Sequence, residues 1–350
     1  MILGGFIALI GGGELLVRGA TSLALAARVS PLVIGLTVVA FGTSAPELGV
    51  SIQSCATGAT ELAIGNAVGS NISNVLLVLG ASAIAAPLAV HSRLFKLDIP
   101  VMVATAAVLW LMGADGQLSR MEGVVLVAAM IAYFFWTVRT GRKEQKQLES
   151  ELGVLPNTAS TKPTDLAIAA AQVLIGLALL VGGANYLVEG CVQLAAYFGV
   201  SELVIGLTVT AIGTSLPELV TSFMAALRGQ RDLAVGNVVG SNILNIVCVL
   251  GISAVVAPNS IGVTPDAKLF HMPVMLAVSV CCLPVFLTGS EIARWEGFAM
   301  LGYYIAYLAY VSYSASTTPV AVPTVTTTIL FVLPLIALTF VSLFAAKRSR

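Results

Sequence analysis

Polar residues in this chain appear as interruptions in long apolar stretches. Runs of about 20 apolar residues, the length a helix needs to cross a bilayer core, fall at roughly 2–27, 31–57, 62–87, 95–113, 120–138, 165–190, 202–227, 233–257, 269–288, 295–314 and 327–345. Eleven spanning helices are expected. One polar linker, Arg139 to Lys162, divides them into five and six. The first run carries Glu14 and Arg18 and has no basic segment before it, so it reads as a first helix and not as a signal peptide. Those two residues are four apart and are expected to pair along that helix.

The pattern repeats. At a shift of 171 residues, Leu32–Asn74 is identical to Leu203–Asn245 at 26 of 43 positions. Beyond it the likeness thins but persists in Pro87/Pro258, Pro100/Pro273 and Glu122-Gly123/Glu296-Gly297. Each unit holds an odd number of spans, so the second enters the membrane from the opposite side. The expected fold is therefore all-α integral membrane: ten core transmembrane helices as two inverted five-helix repeats, plus an eleventh C-terminal helix. The expected units are residues 1–139 (first repeat), 140–163 (cytoplasmic linker), 164–315 (second, inverted repeat) and 316–350 (added helix and basic tail).

Composition agrees with a membrane protein. Of 350 residues 58% are hydrophobic and only 10% charged, against about 25% charged in a soluble domain. Mean hydropathy is +0.98. Seventeen basic and 17 acidic residues balance, which excludes the basic field of a nucleic-acid binder. The linker's Arg139, Arg142, Lys143, Lys146 and Lys162 place it in the cytoplasm by the positive-inside rule. Alternation of spans then puts fourteen of the 17 basic residues inside, Arg93 among them. A plasma (cell) membrane protein with its N-terminus outside and C-terminus cytoplasmic is expected. The five cysteines lie in apolar runs with no C-x-x-C pair and read as packing residues.

Two polar blocks carry the candidate chemistry, and each occurs once per repeat. The first is Gly42-Thr43-Ser44-Ala45-Pro46-Glu47, answered by Gly213-Thr214-Ser215-Leu216-Pro217-Glu218. A mid-helix proline interrupts backbone hydrogen bonding, and unpaired backbone at membrane depth is tolerated only within protein or along a cavity. Glu47 and Glu218 sit one residue past each break, where an ionisable group is costly and marks function. The second block, Gly65–Asn74, is answered by Gly236–Asn245. Ser70 and Asn74 share a helix face, as do Ser241 and Asn245, and both copies hold a G-x-x-x-G pair that permits close helix approach. A lone G-x-x-x-G, membrane serine or membrane glutamate is usually structural. Their conjunction twice at one spacing points instead to a single all-oxygen cluster suited to a hard cation such as Ca²⁺, with no soft ligand for zinc or copper. The Asn71-Ile72-Ser73 sequon is discounted at membrane depth. His91 and His271 read as helix-end residues, and Asp98, Glu189 and Glu202 as interfacial or entrance charges and not ligands. No hydrolase, zinc-protease or phosphate-loop signature is present, so no enzyme activity is expected.

The two blocks resemble the alpha-repeats of the sodium/calcium exchanger family, within the calcium/cation antiporter superfamily, over roughly residues 1–315. The resemblance implies Na⁺/Ca²⁺ antiport by alternating access, with the two ions as substrates and no cofactor. The implied ligands are Glu47, Glu218, Thr43, Ser44, Thr214, Ser215, Ser70, Asn74, Ser241 and Asn245, with backbone carbonyls of Ala40 and Ala211. It also implies that the first and sixth helices form a mobile gate, which Gly11-Gly12-Gly13 and Gly182-Gly183 would suit. Several relatives carry aspartate where this chain has Asn245, so the site here would hold only two formal negative charges. A proton-coupled or broad divalent-cation antiporter is the alternative, and a cation channel a more distant one. The lipid bilayer is the expected surrounding, and no nucleic-acid or obligate protein partner is expected.

Overall fold

The computed structural model describes residues 1–27, 29–89, 93–151, 163–198, 213–287, 291–316, 329 and 331–333. In these residues the chain is almost wholly helical. The helices are α1 (Ile2–Ala27), α2 (Pro31–Thr43), α3 (Ala45–Ala56), α4 (Glu61–Ala85), α5 (Lys96–Asp115) and α6 (Arg120–Glu151) in the first half. In the second they are α7 (Pro163–Tyr197), α8 (Leu216–Leu227), α9 (Arg231–Val256), α10 (Met272–Leu287) and α11 (Arg294–Ser316). Six helices among the described residues are long and apolar enough to cross a membrane, or seven if the bent pair α2–α3 counts as one span. The run expected at 327–345 lies almost entirely outside the described residues, as does the stretch 199–212 ahead of α8.

Burial sorts the helices into layers. α4 and α9 are the innermost, largely sequestered from the surface, whereas most of α6 and α7 is exposed as a bilayer-facing helix should be. The glycine pair of α9 explains how it reaches the centre. A Cβ on Gly236 would lie 2.8 Å from the Leu32 carbonyl, and one on Gly240 2.8 Å from the Leu36 carbonyl, so α9 packs backbone against backbone on α2.

Helices α1 and α7 form a second close pair. Added Cβ atoms on Gly5, Gly12 and Gly19 would fall 2.8–2.9 Å from the α7 backbone around Gly183, Gly176 and Ala169. The partner number falls as the α1 number rises, so the helices run antiparallel, and the heptad spacing keeps all three glycines on one seam. Of the glycines expected to favour mobility, Gly12 and Gly183 are locked in this seam while Gly11 and Gly182 face open space.

Two short ribbons tie the halves together. Leu88–Ala89 pairs antiparallel with Glu291–Ile292, and Gln117–Leu118 pairs with Ile261–Gly262. Leu88 corresponds to Ile261 and Gln117 to Glu291 in the repeat, so each ribbon is the image of the other with the halves exchanged. Five π-helical turns interrupt the helices at Gly35–Val39, Asn74–Leu79, Leu94–Asp98, Asn245–Leu250 and Ala267–His271. Four of them are symmetry pairs, and π turns concentrate at functional positions.

Helix α6, the fifth apolar run of the first half, outruns its expected end at residue 138. It continues through the basic stretch to Glu151, so the first part of the expected linker is helical. Residues 152–162 lie outside the described residues.

Candidate functional site

The site is built at two equivalent helix breaks. α2 ends at Thr43 and α3 begins at Ala45 after a 42° bend, with Ser44 at the joint (φ −84°, ψ 6°). Ser215 takes nearly the same conformation ahead of α8 (φ −86°, ψ 2°). Pro46 and Pro217 fall in the first turn of the following helix, where a missing N–H costs nothing, so each break sits two residues before the proline and not at it. Glu47 and Glu218 also lie in these first turns, where the positive end of the helix dipole favours a carboxylate.

Both carboxylates are fully buried and close enough to repel each other. They come from different halves, and the halves interlock around them. Ser44 Oγ donates to Glu218 Oε1 at 3.0 Å, and Thr43 Oγ1 donates to Asn237 Oδ1 at 3.1 Å. Behind the glutamates stand two matching brackets: Asn237 Nδ2 donates to Ser222 Oγ at 3.0 Å, and Asn66 Nδ2 donates to Ser51 Oγ and to the Glu47 carbonyl, both at 3.1 Å.

Buried polar atoms are ordinarily paired. Here an unusual number lack a hydrogen-bond partner: both Glu47 carboxylate oxygens, Glu218 Oε2, Ser215 Oγ, Ser241 Oγ, Asn74 Oδ1 and Asn245 Oδ1. Oxygens of this kind match the appetite of Ca²⁺ for about 6–8 hard ligands. No group of three or more His, Cys, Asp or Glu side chains occurs among the described residues, so any cation here meets two carboxylates and otherwise neutral oxygens.

The expected residues fall as follows. Thr43, Ser44, Glu47, Ser70, Asn74, Ser215, Glu218, Ser241 and Asn245 are buried, and Thr214 is half-buried. Asn74 and Asn245 each open a π turn, in α4 and α9. The Ala40 carbonyl is not set free by the break. It accepts the Ser44 N–H at 3.0 Å, and the Thr43 hydroxyl oxygen lies 3.4 Å from it. Ala211 lies outside the described residues, as do His91 and Glu202.

Several residues of the centre were not singled out from the sequence. Asn71, set aside as a discounted sequon, donates through Nδ2 to the Asn242 carbonyl at 3.1 Å and accepts from Asn245 Nδ2 at 3.1 Å. Its repeat partner Asn242 is equally buried. The signal was available: Ser51/Ser222, Asn66/Asn237 and Asn71/Asn242 are all identical across the repeat.

Asp98, read above as an interfacial or entrance charge, stands in the first turn of α5. Asp98 is fully buried, its Oδ2 3.3 Å from Arg93 Nε, while Arg93 also reaches Glu144 at 3.0 Å and the Thr137 carbonyl at 3.1 Å. Arg93, counted above among cytoplasmic charges, is thus a buried counter-ion binding the entrance of α5 to the far end of α6. Glu14 and Arg18 do pair, at 2.6 Å, and Glu14 also bridges to Arg228 at the end of α8, at 2.6 Å. Cys55, Cys248, Cys281 and Cys282 are buried and unbridged.

The family model described as sodium/calcium exchanger protein matches residues 1–139 and 168–313. Among curated proteins, the inner membrane protein YrbG of Escherichia coli is 36% identical over 312 residues, covering 88% of this chain and 95% of its own. The sodium/calcium exchanger MaX1 of Methanosarcina acetivorans is 34% identical over 344 residues, covering 89% and 98%. A solved structure of the sodium-calcium exchanger NCX_Mj superposes with a TM-score of 0.76 at 34% identity, over 89% of this chain and 97% of that one.

Proposed function

The chain belongs to the sodium/calcium exchanger family, and from that membership we propose that it exchanges Na⁺ for Ca²⁺ by alternating access. It is a multi-pass membrane transporter and not an enzyme. The observation that carries the exchange reading is the meeting of Glu47 and Glu218 across the two halves amid buried oxygens that lack partners.

The coupling follows from electrostatics. Two carboxylates buried side by side repel, and moving them through a closed state without a counter-charge is costly. One Ca²⁺ or at least two Na⁺ neutralises them, so the protein crosses only when loaded. Exchange results, and leak is suppressed. In this reading Glu47 and Glu218 bind both ions, and Thr43, Ser44, Ser70, Asn74, Thr214, Ser215, Ser241 and Asn245 supply neutral oxygens, with the Ala40 and Ala211 carbonyls completing the shell. A carbonyl has two lone pairs, so the Ala40 oxygen can serve a cation while holding the Ser44 N–H.

The architecture we assign is ten core spans in two inverted repeats with an additional C-terminal helix, in a plasma membrane, with the Arg139–Lys162 segment cytoplasmic. The exchange of partners between the two ribbons supports the inverted relation.

The test is calcium-45 uptake into proteoliposomes loaded with Na⁺, compared with vesicles loaded with K⁺ or choline. Uptake that requires internal Na⁺ is expected. Uptake indifferent to Na⁺ and driven by a pH gradient would replace this reading with proton coupling through the same two glutamates.

A further inference from the structure

Asn245 can present either end of its amide to its surroundings, and only the oxygen is of use to a cation. The chain of hydrogen bonds around it leaves one choice. The Asn242 backbone carbonyl can only accept, so the Asn71 group 3.1 Å from it must be Nδ2. Met275 Sδ, also a weak acceptor, lies 3.5 Å from the same nitrogen. Asn71 therefore turns Oδ1 the other way, and an oxygen that only accepts requires Asn245 to offer its Nδ2, which it does at 3.1 Å. The Asn245 oxygen is left facing away from Asn71, buried and without a partner. One turn earlier on the same face of α9 stands Ser241, whose hydroxyl is likewise buried and without a partner.

We propose that Asn71 is a positioning residue for the cation site: it holds the Asn245 amide so that the oxygen, and not the nitrogen, is presented to the ion. The inference rests on the exchanger reading above and adds a requirement to it. The arrangement is one-sided. On the symmetry-related side Asn242 gives its Nδ2 to Met102 Sδ at 3.5 Å, while its Oδ1 and both ends of the Asn74 amide have no hydrogen-bond partner. A neutral amide at position 245 needs this orientation. A carboxylate would not, since it offers oxygen at either end.

That difference supplies the test. Equilibrium calcium-45 binding and sodium-driven uptake are measured on the purified full chain for wild type, Asn71→Ala, Asn245→Asp and the double variant. Residues that orient a metal ligand typically contribute about 10–100-fold to affinity, so N71A is expected to raise the half-saturating Ca²⁺ concentration by about tenfold or more with little change in maximal rate. In the N245D background the same substitution is expected to shift it by less than about twofold, the usual limit of additivity. An N71A penalty of equal size in both backgrounds, or a fall in maximal rate at unchanged affinity, overturns the proposal. Asn71→Thr, which keeps most of the volume but ends short of the Asn245 amide, replaces N71A if that variant does not fold. Wild-type protein that binds neither Ca²⁺ nor Na⁺ would remove the exchanger reading together with this one. Wild-type exchange without coupling between positions 71 and 245 removes only this one.

Discussion

Asp98 and His271 hold the same place in the two halves, each the last residue of a π-helical turn and each bonded to a tyrosine of its own half. Tyr133 donates to Asp98 Oδ1 at 3.3 Å, and the Tyr307 hydroxyl lies 2.8 Å from His271 Nδ1. The acid and its basic partner are exchanged. Arg93, five residues before Asp98, is its cation, whereas Asp266, five residues before His271, is its acid, 3.0 Å from Nε2. The pair in the first half is almost completely buried, and the pair in the second is partly open to its surroundings.

The two pairs should therefore differ in what they contribute. Removing one partner of a buried ion pair costs about 3–5 kcal/mol, because a buried charge loses its compensation, so Asp98→Asn is expected to lower thermal stability sharply. A partly exposed pair is worth about 1 kcal/mol or less, so Asp266→Asn should cost little. Thermal unfolding of the two variants in detergent compares them directly. Equal losses would contradict the burial difference.

At the centre, Glu47→Gln and Glu218→Gln are expected to abolish exchange while leaving the protein folded. Each change removes half the formal charge of the proposed site and adds a donor that competes with a cation. Neither needs to destabilise, since a neutral amide is cheaper to bury than a carboxylate. Size-exclusion profiles matching wild type with no sodium-driven calcium-45 uptake would bear this out. Normal flux in either variant would sink the site assignment.

The polar centre was legible because the repeat prints it twice. Glu47, Ser70 and Asn74 recur as Glu218, Ser241 and Asn245, and a costly residue kept twice at one spacing needs a common cause. The π turns were not legible, because widening one turn of an apolar helix leaves no polar mark in the sequence. Nor was the Arg93–Asp98–Glu144 network, whose members meet only when α5 and α6 fold together. The end of α6 was misjudged for a simpler reason. Hydropathy marks only the apolar part of a helix, which here gives way to charged residues after 138, while the backbone stays helical to Glu151.

Ser44→Ala tests the interlock between the halves. The Ser44 hydroxyl is donated across the repeat boundary to Glu218 at 3.0 Å, and a hydrogen bond to a charged group contributes about 1.5–3 kcal/mol. Loss of the hydroxyl removes that bond and a neutral oxygen proposed for the cation, so apparent Ca²⁺ affinity should fall by about tenfold or more. Titration of sodium-driven uptake against external Ca²⁺ measures the shift. An unchanged half-saturation would place the cation away from Ser44.

The seam between α1 and α7 offers a test with its own control. A Cβ on Gly176 would sit 2.7 Å from the Leu16 backbone nitrogen and 2.9 Å from the Gly12 carbonyl, with no flexible side chain able to yield. One on Gly182, on the same helix, would meet nothing within 4 Å. Overpacking typically costs about 1–3 kcal/mol, so Gly176→Val should lower the unfolding temperature and force the two helices apart. Gly182→Val should leave it close to wild type. If α1 and α7 move as one body during exchange, the first substitution should also slow calcium-45 flux in vesicles while the second does not. A Gly176→Val protein as stable and as active as Gly182→Val would mean that the seam is not the contact that joins the two helices.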